Sequence, residues 1–171
     1  MNIEATILSN LLHNEEFARK SIVFLKDDYF QDATEKAVFH EIQTFYAKYN
    51  DVPTKEALQI AIDERENLSS TIYEEAEALI KSLGKTDNNQ QWLLDETEKF
   101  CKDKAVYNAI MESIEIIDGK HKKKTDGAIP ELLSEALAVT FDTHIGHDFL
   151  EDSDERYEFY HTREEKIPFD I

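Results

Sequence analysis

The chain has 171 residues, 41% of them hydrophobic, and contains only 4 Gly and 3 Pro. This length suits one domain or two small ones, and the scarcity of helix-breaking residues favours an all-helical protein. The 37 acidic residues against 19 basic ones give a net charge of −18, which argues against direct binding of DNA or RNA. Cys101 is the only cysteine, which excludes a disulfide framework and a cysteine-rich zinc site.

The first residues, MNIEATILSN, contain neither a basic segment nor a long apolar run. We therefore expect no signal peptide, no membrane association and a cytoplasmic location. Apolar spacing then predicts five helices, over about residues 3–12, 15–26, 33–49, 55–64 and 71–84. Asn14 and Thr54 are predicted N-caps, and Thr71 with Glu74 fits a capping box. The five helices are expected to form a small globular subdomain over residues 1–87.

The stretch IKSLGKTD, residues 80–87, ends like a phosphate-binding loop. That motif requires a glycine where this chain has Leu79, and a strand before the loop. The preceding residues have helical spacing instead. We interpret Gly84 as a residue that ends the fifth helix in the left-handed conformation, and we predict no nucleotide site here.

Residues 88–118 contain no glycine or proline, which predicts one long helix that Gly119 ends. Large side chains recur along it every seven residues, a spacing that seeks a partner helix. A second helix over about residues 129–141, with Pro130 near its start, would complete an antiparallel hairpin. This hairpin is too thin to bury all its apolar residues, so the remainder must face the globular subdomain or another subunit. We assign to self-association Leu93, Phe100, Tyr107, Met111, Ile114, Leu133, Leu137 and Phe141.

Residues 142–171 hold 10 acidic and 3 basic residues. The segment DSDERYEFYHTREEK is compatible with a separate linker helix capped by Asp152 or Ser153. Its apolar positions are few, namely Tyr157, Phe159 and Tyr160, so it has no evident packing site within this chain. The final residues, KIPFDI, indicate that the sequence continues into another part of a longer protein.

Candidate chemical sites are weak. His144, His147 and Asp148 could ligate a metal, but a solvated connector explains them better, and we predict no metal site. The loop KHKKK could contact phosphate or be a solvated hairpin tip. Cys101 has no histidine partner nearby in sequence, so nucleophilic catalysis is not expected. We assign no catalytic residue, no cofactor and no enzymatic activity to the chain alone.

Several segments resemble a known family. EATILSNLL, LKDDYF, KAVFHEIQTF and VPTKEAL resemble the N-terminal domain of DnaB-like replicative helicases. WLLDETEKFCKDKAVYNAIMESIEI, then GAIPELLSEALAVTFDTHIGHDFLEDSDERYEFY and KIPF, resemble the T-even-type phage branch of that family. Together these segments cover nearly the whole chain.

The resemblance implies a hexameric helicase that moves 5′ to 3′ in DNA replication. Its N-terminal domains would form a collar through hairpin pairing and would dock primase and a helicase loader. ATP and Mg²⁺ would bind a RecA-like motor domain that lies beyond residue 171, and DNA would be bound only by the full-length hexamer. The linker would dock onto the neighbouring subunit's motor domain through Tyr157, Phe159 and Tyr160.

Two alternatives remain at this stage. An acidic phage protein could mimic DNA, although its carboxylates should then be regularly spaced, and here they cluster unevenly. A stand-alone helical adaptor unrelated to replication is the other alternative.

Overall fold

The computed structural model describes residues 2–66, 68–86, 88–121 and 123–141. Every regular element within these ranges is helical, so the all-α prediction is confirmed. The predicted linker helix lies outside the described residues. The described α-helices are α1 (Ile3–His13), α2 (Glu15–Ser21), α3 (Ala33–Tyr49), α4 (Lys55–Asp63), α5 (Ser70–Ser82), α6 (Gln90–Ile117) and α7 (Ile129–Leu137), with short 3₁₀ helices at Asp27–Tyr29 and Asp126–Ala128.

Helices α1 to α5 surround a core of aliphatic and aromatic side chains. The 3₁₀ helix after α2 and the residue that follows it place Tyr29 and Phe30 in this core, and Phe30 stacks on Phe39 with ring centroids 4.7 Å apart. Phe30 also contacts Phe100 of α6, at a centroid distance of 5.8 Å. The long helix α6 therefore shares the core of the helices that precede it.

Two of the predicted N-caps are confirmed. The Asn14 side chain accepts a hydrogen bond from the Phe17 amide at 3.0 Å, and Thr54 accepts one from the Ala57 amide at 3.2 Å. At α5 the predicted cap is wrong, because Ser69 rather than Thr71 accepts the amide hydrogen bond, at 3.3 Å. Neighbouring hydroxyl residues all suit a cap, and the earlier one gives the helix additional residues.

Two predicted helix ends differ from the structure. Helix α2 ends at Ser21 instead of continuing to Lys26, and the Ser21 hydroxyl donates to the Phe17 carbonyl at 2.8 Å. Among the described residues, positive φ angles occur at Asn50 and Gly119, so the left-handed Gly84 was a wrong prediction. The buried Leu83 follows α5 in an extended conformation, which anchors the chain in the core without a left-handed turn.

Helix α6 has 28 residues, which corresponds to about 42 Å. Its start and its middle are fixed to the first part of the chain: Asn14, between α1 and α2, donates to Gln90 at 2.8 Å, and Lys104 forms an ion pair with Glu4 of α1 at 3.4 Å. Because of these contacts, the globular part and the hairpin belong to one compact unit that extends to Phe141.

Helix α7 runs back along α6. Near the connecting loop, Lys124 pairs with Glu112 at 2.7 Å, and beyond the far end of α7, Thr140 donates to Glu98 at 2.9 Å. The chain just before α7 thus contacts the second half of α6, and the chain just after α7 contacts the first half of α6. This is the geometry of an antiparallel hairpin. Pro130 lies in the first turn of α7, where its missing N–H removes no helical hydrogen bond.

Candidate functional site

The two halves of α6 have different surroundings. In the first half Leu93, Phe100 and Cys101 are buried in the core described above. In the second half the buried side chains are mostly small, such as Ala109 and Ser113. These small residues let α7 approach closely, but α7 covers only one side of α6.

The opposite side of the second half exposes a row of large apolar side chains. They lie at helical spacings of three, four and seven, so they share one face. Their relative exposures run from 44% at Met111 to 68% at Ile117. We refer to this row as the α6 face, and it consists of Tyr107, Ile110, Met111, Ile114 and Ile117.

Helix α7 adds apolar surface beside it. Leu137 is exposed and Leu133 is half-buried, and the two lie one turn apart. Ala136 is buried and turns toward α6 instead. Between the two helices and the 3₁₀ helix at Asp27–Tyr29 is a cavity of about 200 Å³ whose lining mixes apolar and charged residues.

The structure divides the residues that the sequence assigned to self-association. Tyr107, Met111 and Ile114 lie on the α6 face, and Leu133 and Leu137 lie on α7. The other three pack within their own chain. Leu93 and Phe100 belong to the core, and Phe141 stacks on Phe24 with ring centroids 4.5 Å apart.

The self-association assignment treated the seven-residue repeat as one continuous exposed surface, and the structure shows that it is not. Leu93 and Phe100 obey the repeat, but α1, α2 and the 3₁₀ helix at Asp27–Tyr29 cover that part of α6. Ile110 and Ile117, which lie beside the repeat and were not assigned to self-association, are also exposed. Helical spacing counted from Tyr107 alone would have selected them.

Three described residues of the basic loop between α6 and α7 lie beside acidic side chains. Lys120 contacts Asp118 at 2.8 Å, and His121 and Lys124 both contact Glu112, at 3.3 and 2.7 Å. These pairs reduce the positive charge that the loop could offer to a phosphate backbone.

Sequence similarity to known proteins adds a second line of evidence. No family model matches the chain. The chain is 31% identical over 173 aligned residues to a protein of Enterobacteria phage T4 described as a DnaB-like replicative helicase. The similarity to a DnaB-like replicative helicase is therefore confirmed.

The alignment covers 96% of this chain but 36% of the T4 helicase, so the chain spans about a third of its relative's length. The alignment thus spans nearly the whole of this chain. The predicted linker residues Tyr157, Phe159 and Tyr160 lie outside the described residues, as do His144, His147 and Asp148.

In this chain the GKT stretch, residues 84–86, follows helix α5. Leu79 occupies the last turns of α5, and Gly84 follows that helix by two residues. A phosphate-binding loop instead connects a strand to a helix. The surroundings of GKT thus have the wrong secondary structure for that motif.

Cys101 lies deep in the core, and burial raises the pKa of its thiol to about 12. A nucleophilic cysteine needs a lowered pKa and access to substrate. Within the described ranges, no three His, Cys, Asp or Glu residues are grouped so as to hold a metal ion. The helices of the same ranges include none that is long and apolar enough to cross a bilayer.

Proposed function

We propose that this chain is the collar and partner-docking region of a phage replicative helicase. The observation that carries the proposal is the α6 face, an uncovered apolar surface on a chain that aligns with a T4 DnaB-like replicative helicase. ATP-driven unwinding would belong to the longer protein, with ATP and Mg²⁺ bound beyond residue 171.

The α6 face suits pairing between copies of the chain. It extends over ten residue steps, from Tyr107 to Ile117, which corresponds to about 15 Å of helix. Burying one large apolar side chain contributes about 1.5–3 kcal/mol. In a two-fold symmetric pair each of these residues is buried once in each subunit, so a few contacts suffice to hold the pair.

The α6 face is best covered by a helix of a second copy. A long helix with an apolar row on one side is stabilised by a second helix that covers this row. Leu133 and Leu137 of α7 widen the surface, so a partner hairpin could contact both helices. The proposed hexameric collar would then join such pairs through a second, different interface, because a two-fold pair uses up the α6 face.

Docking of primase and of a helicase loader on this region is proposed on the similarity to the helicase family. The segment around Tyr157, Phe159 and Tyr160 is proposed to dock on the motor domain of a neighbouring subunit. Its high acidic content predicts a basic receptor surface and docking that weakens as salt rises.

Light scattering on a concentration series of this chain tests the pairing step. We expect the average mass to rise above that of the 19.9 kDa monomer as concentration increases. A mass that stays monomeric throughout would contradict pairing through the α6 face. Capture of cognate primase or loader by the chain tests the docking step separately.

A further inference from the structure

The exposed row on α6 has the same spacing in both directions. Tyr107, Ile110, Ile114 and Ile117 follow one another at intervals of three, four and three residues, and all four are exposed. A row with this spacing matches itself when a second copy is turned end to end, so that Tyr107 meets Ile117 and Ile110 meets Ile114. The spacing also permits a parallel pair, in which each residue meets its own copy.

The turn before this row is covered, which excludes the parallel pair. Phe100 precedes Tyr107 by seven residues, about two helical turns, so both lie on the same side of α6. Phe30 occupies that side, with its ring centroid 5.8 Å from that of Phe100. The axes of packed helices lie about 8–10 Å apart. A parallel pair would have to hold the residues around Phe30 of both chains within that space.

The antiparallel pair avoids this overlap. Phe100 of one copy then lies about 10 Å beyond Ile117 of the other, measured along the helices. Helix α6 ends at Ile117, and Gly119 follows with a φ of 69°. The helix of the second copy therefore ends before it reaches the covered turn, and each row is covered over its whole length.

The charges at the two ends of the row favour the same orientation. Asp103 is exposed one turn before Tyr107, on the same side of the helix. A parallel pair would place the two copies of Asp103 against each other. The antiparallel pair instead places Asp103 near the far end of the other α6, where Asp118 and Lys120 form an ion pair at 2.8 Å that carries no net charge. Opposed helix dipoles add to this preference.

We propose that two copies of this chain pair through their α6 faces in antiparallel orientation, with Tyr107 of each copy against Ile117 of the other. The globular parts then lie at opposite ends of the pair. This inference rests on the proposed function, to which it adds the orientation of the pairing.

Cysteine crosslinking of the full 171-residue chain tests the orientation. Tyr107→Cys, Ile117→Cys and an equal mixture of the two are treated with a short bismaleimide at a concentration where the wild type pairs. The wild type serves as the control, because Cys101 is buried and desolvation raises the pKa of its thiol to about 12. We expect a crosslinked dimer from the mixture. Each variant alone should give at least about tenfold less, since the two copies of one position lie about 15 Å apart along the helices.

Light scattering on the same samples separates failure of the orientation from failure of the pairing. Dimers in which each variant crosslinks with itself as well as the mixture does would overturn the antiparallel orientation and leave the pairing intact. Dimers without crosslinks in any sample would overturn the contact between positions 107 and 117. Monomers throughout would overturn the proposed pairing and the orientation with it.

Discussion

Single residues decide where the helices begin. Asn14 and Thr54 could be identified from the sequence because each stands alone before an apolar helical pattern. Ser69 could not, because the run Ser69, Ser70 and Thr71 offers three equivalent hydroxyls. The choice among them depends on where the first turn of α5 meets the core, and the apolar pattern locates that point only within a few residues.

Cys101 provides a test of the core at residue scale. Its thiol is buried and its pKa is raised to about 12 by desolvation, so little thiolate exists at neutral pH. We expect the folded chain to resist iodoacetamide, and the chain in denaturant to react fully. Mass spectrometry of the alkylated fraction measures this. Rapid alkylation of the folded protein at neutral pH would contradict the placement of Cys101.

At the scale of elements, α6 is the part that sequence reasoning described least completely. Its length and its end at Gly119 follow from local residue preferences, and the structure agrees to within two residues. Which half is covered depends on α1 and α2, which are distant in sequence. A seven-residue repeat shows that a side is apolar, but it does not show what packs against each turn.

Phe100 and Tyr107 form a natural pair for testing this division, since they are seven residues apart on the same helix. Phe100 is buried, whereas Tyr107 is about half exposed. Phe100→Ala should lower the free energy of unfolding by about 3–5 kcal/mol because it leaves a cavity. Tyr107→Ala should cost less than about 1 kcal/mol in the monomer.

Urea unfolding at low protein concentration, followed by circular dichroism, measures both changes. The low concentration removes any contribution from pairing to the Tyr107 result. Similar losses of stability for the two variants would mean that α6 is covered equally along its length.

At the scale of the whole molecule, the charge sets how copies of the chain meet. A net charge of −18 makes two chains repel each other, while the α6 face is apolar. The Debye length falls from about 10 Å at 0.1 M salt to about 3 Å at 1 M. We therefore expect self-association to strengthen as sodium chloride is raised over this range.

Sedimentation velocity at fixed protein concentration measures the salt effect. An increase in the associated fraction agrees with an apolar interface between like-charged chains. A decrease would indicate that ion pairs, rather than the α6 face, hold the copies together.

The central claim is that the α6 face joins copies of this chain. Met111→Glu places a charge in the middle of the face, whereas Ile60→Glu makes the same change at an exposed apolar site on α4. Light scattering on both variants at matched concentrations is the most direct test. We predict that Met111→Glu weakens association at least about tenfold and that Ile60→Glu associates like the wild type. Equal association of Met111→Glu and the wild type, with helical content preserved in both, would contradict the account.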